Sequence, residues 1–222
     1  MNLFKSSFLK RVLSSVILIP PIVFILTYDG SQLPVIILLI IASLWASYEW
    51  QAMARRVVRK FLYLNLGNLY IIFSFTSFYL LYEMGGGEIV LILFVMIWAS
   101  DVGAYFFGKL IGGPKMMPNI SPNKTLAGLV GALVMPAFIL SVYSIFIAGE
   151  GFSIVYILAG GLIGLAGQGG DLLISFVKRK ADLKDTGALI PGHGGLLDRI
   201  DSMMLATPVA LFIYFFATSI ST

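Results

Sequence analysis

One segment near the C-terminus concentrates side chains that can bind a metal ion and phosphate groups. It reads KRKADLKDTGALIPGHGGLLDRIDS, from Lys178 to Ser202, and holds five cationic residues, four carboxylates and the only histidine, His193. Three glycines around the histidine let the backbone adopt positive φ and approach an anion closely. Asp198 and Asp201 lie about one helical turn apart, just before an apolar stretch. Carboxylates interleaved with lysines and arginines are what a magnesium–polyphosphate site requires.

Two further carboxylates fall inside apolar stretches, where an ionisable group costs about 2.5–3.5 kcal/mol when it is central. Asp101 lies in WASDVGAYFFGKL, and Asp171 lies in GLAGQGGDLLISFVKRK. On a helix Asp171, Ser175 and Lys178 share one face that points toward the charged segment. Asp101 either lines a polar cavity or reaches water at the membrane surface, and Glu49 is interpreted in the second way.

Glycines cluster in the same apolar stretch as the second of these carboxylates. Gly160, Gly161 and Gly164 have the spacing typical of close helix packing. Gly169 and Gly170 stand directly before the carboxylate, and we expect them to leave room there for a ligand or metal.

The composition indicates the elements that must position these residues. Of the 222 residues, 59% are hydrophobic and 12% are charged, which leaves too little polar surface for a soluble domain of this length. The chain has no cysteine, so disulfides, thiolate metal sites and a cysteine nucleophile are excluded. Seven stretches are long and apolar enough to span a bilayer. They cover roughly 12–28, 34–50, 61–82, 88–107, 126–148, 153–177 and 202–220. The predicted fold is all-α, a polytopic transmembrane helix bundle of about seven spans.

The basic residues occupy alternate connections of this bundle. All 15 lysines and arginines fall before the first span or after the second, fourth and sixth. Basic residues stay on the cytoplasmic side of short loops, which predicts a cytoplasmic N-terminus. The two long loops, 108–125 and 178–201, then both face the cytoplasm. We divide the chain into an N-terminal membrane hairpin and anchor region, 1–90, and a catalytic membrane domain, 91–222.

The charged segment closely resembles the signature of the phosphatidate cytidylyltransferase (CDP-diacylglycerol synthase) family. The matching elements, over about 27 positions, are Ser175, Lys178-Arg179, Lys184-Asp185, Pro191, His193-Gly194-Gly195, Asp198-Arg199 and Asp201. A second block of the family is matched by Ser100-Asp101, Ala104-Tyr105 and Ser121-Pro122-Asn123-Lys124-Thr125. The resemblance is strong over roughly the catalytic domain, with departures at Val102, Leu126 and Ala127, where the family usually has other residues.

The resemblance implies a magnesium-dependent transfer of CMP from CTP to phosphatidic acid, which gives CDP-diacylglycerol and pyrophosphate in phospholipid biosynthesis. It implies that Asp171 and Asp198 are metal ligands and that a monovalent cation such as K⁺ can share the site. It also implies a homodimer in a bacterial inner membrane, with the active site facing the cytoplasm.

The residues expected to act in this reaction come from both long loops and from the spans beside them. The expected catalytic residues are Asp171, Asp198, Lys178, Arg179, Lys184 and Arg199. The expected substrate-binding residues are Asp101, Lys124, Ser175, Asp185, His193, Gly194, Gly195 and Asp201. His193 fits a phosphate contact and a structural hydrogen bond of the loop equally well.

Two other functions fit parts of the pattern. A CTP-dependent polyprenol or phytol kinase would use a similar bundle and similar charges, but it would release CDP instead of pyrophosphate. A transporter or channel would also combine Gly-rich helices with carboxylates inside the membrane. Against a transporter, the ionisable residues gather at one face and the sequence contains no visible inverted repeat. No nucleic-acid partner is expected.

Overall fold

The computed structural model describes residues 16–17, 19–28, 30–187 and 194–221. Its helices are α1 over 19–27, α2 (Leu33–Ala54), α3 (Lys60–Leu110), α4 (Leu126–Phe146), α5 (Ile154–Lys180) and α6 (Leu197–Ser221). A short hairpin pairs β1 (Lys115–Met117) with β2 (Ser121–Thr125) antiparallel. The predicted all-α bundle is therefore confirmed for the described residues, apart from this hairpin in the loop 108–125.

Five helices, α2 to α6, are long and apolar enough to cross a membrane. Their most apolar segments have mean hydropathies between 1.5 and 2.2, and only 28% to 44% of each segment is buried inside the protein. Most of the apolar surface of these helices therefore faces outward, which a bilayer tolerates and water does not. The prediction of a multi-pass membrane protein is confirmed at this level.

Helix α3 reverses direction in its middle. Its 51 residues would measure about 76 Å if the helix were straight, against about 30 Å for a hydrocarbon core. Gly86 has φ +72° and ψ −178°, a conformation open mainly to glycine. The rings of Phe78 and Phe94 lie 5.9 Å apart, whereas a straight helix would hold them roughly 24 Å apart. The two halves of α3 fold back on each other between the predicted spans 61–82 and 88–107.

Glycines let α5 pack directly on α4. A Cβ on Gly160 would meet backbone of α4 at 2.5 Å, and a Cβ on Gly164 would meet it at 2.2 Å. The predicted packing role is confirmed for these two residues. It is wrong for Gly161, because the only neighbouring atom within 4 Å of its Cβ position is the carbonyl oxygen of Leu133, at 4.0 Å.

Gly169 and Gly170 contact α6. A Cβ on Gly170 would lie 2.4 Å from the backbone oxygen of Asp201, and a Cβ on Gly169 would lie 3.2 Å from Leu205. The expectation that these glycines leave room for a ligand or metal is therefore wrong for Gly170, whereas Gly169 lines a cavity of about 420 Å³. They let α5 and α6 approach closely, and this approach brings Asp171 into electrostatic contact with Asp201.

The core beneath the site joins the N-terminal helices to the C-terminal ones. Trp50 and Met53 of α2 and Ile71 of α3 form one apolar cluster with Ile174 of α5 and Leu197 of α6. Each of these five side chains is 2% exposed or less. The end of α2 is therefore packed against the start of α6, where the charged segment enters the bundle.

Candidate active site

Asp171 of α5 contacts a lysine from the hairpin. Its Oδ2 lies 2.6 Å from Lys124 Nζ, and its Oδ1 accepts a hydrogen bond from Ser175 Oγ at 3.0 Å. Lys124 is held at the end of β2 because the next residue, Thr125, caps α4 by accepting from Gly128 N at 3.0 Å. The structure therefore brings together Lys124, Asp171 and Ser175, as the sequence predicts.

The ammonium of Lys124 is only partly satisfied by its neighbours. Its Nζ is shielded from solvent and has no hydrogen-bond partner of good geometry among the described residues. Its close contact with Asp171 is the ion pair described above. An ammonium carries three donors, so Lys124 has hydrogen-bonding capacity beyond its contact with Asp171.

Lys178 and Asp198 form a second carboxylate–lysine pair, with Nζ and Oδ1 2.7 Å apart and side chains 10% and 7% exposed. Asp198 lies in the first turn of α6, where a negative charge is favoured by the helix dipole. Its Oδ2 also accepts from Thr186 N at 2.8 Å and from Gly195 N at 3.0 Å, and it lies 3.1 Å from the hydroxyl oxygen of Thr186. Lys178 therefore reaches from α5 to α6.

The loop glycines surround carboxylates of the chain itself. Gly194 has φ +82°, which confirms the predicted positive φ. A Cβ on Gly194 would lie 2.7 Å from Asp198 Oδ2, and a Cβ on Gly195 would lie 2.4 Å from Glu49 Oε2. The predicted close approach of this backbone to an anion is present, and the anions are Asp198 and Glu49.

A third polar group lies where α3, α5 and α6 meet. Asp101 Oδ1 accepts from Gln168 Nε2 at 3.4 Å, and Asp201 Oδ1 accepts from its neighbour Ser202 N at 2.8 Å. Asp101 and Asp201 are both close enough to Asp171 for electrostatic repulsion between the carboxylates. A cation bound nearby would relieve that repulsion.

The donor set suits a hard divalent ion that brings ligands of its own. Within the described ranges, no group of three or more His, Cys, Asp and Glu side chains is close enough to hold a metal ion. Mg²⁺ commonly binds proteins through one or two carboxylates and takes its other ligands from water and substrate phosphates. Asp171 and Asp198 each already face a lysine ammonium, at 2.6 and 2.7 Å. The carboxylate oxygens of Asp171 and Asp198 are ligands of the kind that magnesium takes from proteins. The assignment of these two residues as metal ligands stays a prediction.

The other cations predicted to bind phosphate have different surroundings. Arg179 donates from Nε to the carbonyl oxygen of Ile120 at 3.2 Å and from Nη1 to that of Leu183 at 3.0 Å. It thereby ties the hairpin to the end of α5. Lys184 and Arg199 are both exposed, and their roles in binding phosphate stay predictions.

Two further predicted site residues belong to the loop before α6. His193 lies outside the described residues, so its contact with phosphate or with the loop stays a prediction. Asp185 is exposed, and its Cβ lies 3.5 Å from the position that a Cβ would take on Gly194. Asp185 therefore lies beside the loop that wraps Asp198.

Glu49 belongs to this site although its sequence context was interpreted otherwise. The side chain is 3% exposed, so the interpretation that it reaches water is wrong. Its carboxylate accepts four hydrogen bonds, from Trp45 Nε1 at 3.0 Å and from Thr186 Oγ1, Leu196 N and Leu197 N at 2.9 Å each. The signal that could have found it is the cost of an unpaired carboxylate in an apolar stretch, which also drew attention to Asp171.

Two cavities adjoin each other, and Lys124 lines the smaller one. The smaller, about 170 Å³, is bounded by the hairpin and the facing turns of α3, α4 and α5. The larger, about 420 Å³, is lined mostly by apolar side chains of α4, α5 and α6. Met116, Leu129 and Gln168 line both cavities. The smaller cavity, beside the ammonium of Lys124, therefore continues into the larger, apolar cavity. This arrangement suits an amphiphilic ligand.

The fold and the site define a polytopic membrane protein with paired carboxylates and lysines at one end of its helices. A model of the cytidylyltransferase family matches residues 56–217. The phosphatidate cytidylyltransferase of Rickettsia bellii is 31% identical over 216 residues, which cover 94% of this chain and 91% of that protein. The phosphatidate cytidylyltransferase of Bacillus subtilis is 43% identical over 122 residues, 54% of this chain and 44% of that protein. The chain belongs to the cytidylyltransferase family.

Proposed function

We propose that this protein transfers CMP from CTP to phosphatidic acid, giving CDP-diacylglycerol and pyrophosphate for phospholipid biosynthesis. The observation that carries the proposal is a pair of ion contacts. One joins Asp171 of α5 to Lys124 of the hairpin, and the other joins Asp198 of α6 to Lys178 of α5. Membership of the family, whose relatives bear the name of this activity, supports it. A third support is the apolar cavity, which shares lining residues with the smaller cavity beside Lys124.

The reaction joins two polyanions. A phosphate oxygen of phosphatidic acid attacks the α-phosphorus of CTP and forms the new P–O bond. The bond from that phosphorus to the bridging oxygen breaks, and pyrophosphate leaves with the electron pair. The attacking phosphate is already anionic at neutral pH, so the reaction needs positioning and positive charge more than a strong base.

Lys124 and Lys178 are the residues best placed to supply this charge. Each ammonium is held by one carboxylate, at 2.6 and 2.7 Å, and each has further donors for phosphate oxygens. Lys184 and Arg199, both exposed, would stabilise the departing pyrophosphate. Arg179, bonded to backbone carbonyls, would hold the hairpin that carries Lys124.

Magnesium enters the proposal through Asp171 of α5 and Asp198 of α6. When bound, it would polarise phosphate oxygens and make the α-phosphorus more electrophilic. Asp101 and Asp201 would surround the same region from α3 and α6 and favour a bound cation by their charge. A monovalent cation such as K⁺ belongs to the proposal on the family resemblance alone, as does a homodimer.

The adjoining cavities would admit phosphatidic acid from the bilayer. The space of about 170 Å³ beside Lys124 would take the phosphate headgroup. The apolar space of about 420 Å³, lined by Leu129, Leu165 and Leu205 among others, would take the first part of an acyl chain.

We also propose seven spans with the N-terminus and the site on the cytoplasmic side of a bacterial inner membrane. Supporting this count, α1 is helical over 19–27 and α3 folds back at Gly86. The confinement of all 15 basic residues to alternate connections supports the orientation. Single cysteines at Ser31 and at Arg56 test it, since the chain has none of its own. A membrane-impermeant maleimide should label the Ser31→Cys variant from outside the cell and leave Arg56→Cys unlabelled, and the reverse pattern would refute the orientation.

The decisive assay follows the α- and the γ-phosphate of CTP separately. Purified protein receives phosphatidic acid in mixed micelles, magnesium and CTP labelled at either the α- or the γ-phosphate. We expect the α-label in the lipid and the γ-label in pyrophosphate. A γ-label in the lipid with CDP as the other product would identify a CTP-dependent lipid kinase instead, and no transfer of either label would refute the proposal.

A further inference from the structure

Glu49 connects two distant parts of the chain at the edge of the candidate active site. It lies near the end of α2, outside the residues 56–217 that the family model matches. Its hydrogen-bond partners Leu196 and Leu197 are 147 and 148 residues further along. The proposed chemistry gives this buried carboxylate no part, so its four hydrogen bonds need a separate explanation.

The carboxylate of Glu49 caps α6 from outside the helix. The first backbone N–H groups of a helix have no partner within it and carry partial positive charge. Glu49 Oε1 accepts from Leu196 N, and Oε2 accepts from Leu197 N, the first residue of α6. The second donor to Oε1 is Trp45 Nε1, and the second donor to Oε2 is Thr186 Oγ1. Both oxygens of Glu49 are therefore occupied by neutral donors that fix the start of α6.

Glu49 and Asp198 divide the donors of one loop between them. Asp198 takes the N–H groups of Thr186 and Gly195, and Glu49 takes those of Leu196 and Leu197. The Thr186 hydroxyl lies between the two carboxylates, 2.9 Å from Glu49 Oε2 and 3.1 Å from Asp198 Oδ2. A displacement of Glu49 would therefore change the surroundings of Asp198 and of its partner Lys178.

Two glycines make room for the Glu49 carboxylate. A Cβ on Gly187 would lie 2.9 Å from Glu49 Oε1, and a Cβ on Gly195 would lie 2.4 Å from Oε2. Both distances are shorter than a side chain tolerates without movement of its neighbours. The loop is therefore shaped around this carboxylate as well as around Asp198.

We propose that Glu49 is a positioning residue for the transfer of CMP, an inference that rests on the proposed function. From α2 it holds residues 186–187 and 194–197, and through them it orients Asp198 and Lys178 toward the substrates. It has no contact with the reacting atoms in this role. The role requires a carboxylate, because each oxygen of Glu49 accepts a backbone N–H. In Glu49→Gln one of these N–H groups would face the amide NH₂, which is itself a donor.

The test compares Glu49→Gln with wild type in two measurements. The first is kcat and KM for CTP in the CDP-diacylglycerol assay. The second is amide hydrogen exchange in peptides that cover 194–200, with peptides from the middle of α6 as an internal reference. Glu88→Gln is the matched control, because Glu88 accepts one hydrogen bond, from Tyr143 at 2.8 Å, at the opposite end of α4.

We expect Glu49→Gln to lower kcat about tenfold or more while KM for CTP changes less, since misplacement of a reacting group mainly affects turnover. Exchange in 194–200 should become about tenfold faster, with the middle of α6 unchanged. Glu88→Gln should match wild type in both measurements. Should Glu49→Gln not fold, Gly187→Ala decides by the same criteria, because the three atoms nearest to its new Cβ all belong to Glu49, the closest being Oε1 at 2.9 Å.

Three results would overturn the inference. Faster exchange with an unchanged kcat would mean that the loop anchor does not serve the reaction. A lower kcat with unchanged exchange would mean that Glu49 acts by some route other than holding the loop. A wild-type protein that forms no CDP-diacylglycerol would overturn the proposed function and this inference together, whereas the first two results leave the proposed function standing.

Discussion

Replacing Lys178 with methionine keeps most of the side-chain volume but leaves Asp198 without its cation. The two side chains are 10% and 7% exposed, and removal of one partner from a buried pair costs about 3–5 kcal/mol. Asp198 keeps its two hydrogen bonds from the backbone N–H groups of Thr186 and Gly195, and bonds to a charged acceptor contribute about 1.5–3 kcal/mol each. We therefore expect Lys178→Met to lower the free energy of unfolding by about 3 kcal/mol, the lower end of the range.

Asp198→Asn should cost more than Lys178→Met. It leaves the Lys178 ammonium buried without a counter-charge, and the single oxygen of the new amide must serve the donors of Thr186 and Gly195. We expect a loss of about 4–5 kcal/mol. The double variant has neither charge, so its loss should be smaller than the sum of the two single losses by about 2 kcal/mol or more.

Unfolding by SDS in mixed micelles, followed by circular dichroism, measures these four proteins side by side. Lys184→Met is the control, because Lys184 is an exposed lysine of the same segment and should change stability by no more than about 0.5 kcal/mol. If the two single losses add to the double loss within about 0.5 kcal/mol, Lys178 and Asp198 do not interact and the site geometry described above is incorrect.

Three further predictions concern catalysis, the fold and ligand binding. Asp171→Asn should lower CDP-diacylglycerol formation at least about 10²-fold, the scale seen when one transition-state stabiliser is removed, and activity near wild type would refute its assignment as a metal ligand. Gly86→Ala should lower the free energy of unfolding by about 1–3 kcal/mol, because φ +72° with ψ −178° is open mainly to glycine; an unchanged midpoint of SDS unfolding would mean that α3 does not turn there. Titration calorimetry should detect CTP binding with magnesium and much weaker binding with EDTA, and equal affinities would argue against a metal-bridged nucleotide.

Hydropathy predicted the helices well because burial in lipid imposes a length and a composition on each of them. The predicted stretches 34–50, 126–148 and 153–177 fall on α2, α4 and α5 with small differences at their ends. The reversal of α3 at Gly86 falls in the predicted gap between two stretches. The hairpin of β1 and β2 was not predicted, because its three- and five-residue strands lie in a loop rich in Lys, Gly and Pro, without a periodic pattern.

Side-chain partners were harder to predict than helices. The i, i+4 spacing correctly joined Asp171 to Ser175, because both lie on one helix. The same pattern did not show that Lys178 would pair with Asp198 of the next helix. The interpretation that Glu49 reaches water is wrong for a related reason. Its hydrogen-bond donors lie up to 148 residues away in the sequence, and no local sequence pattern indicates a contact of that range.

The carboxylates and lysines of the site depend on each other, and this explains why a divalent cation belongs to the proposed chemistry. A lysine that moves toward a phosphate leaves its carboxylate uncompensated in a partly buried place, which is costly. Asp171 would also then face the repulsion of Asp101 and Asp201 in full. Lys124 and Lys178 can therefore turn to the phosphates at low cost only when another cation compensates their carboxylates. On this reasoning we expect the two ion pairs to be the arrangement of the site before its substrates bind.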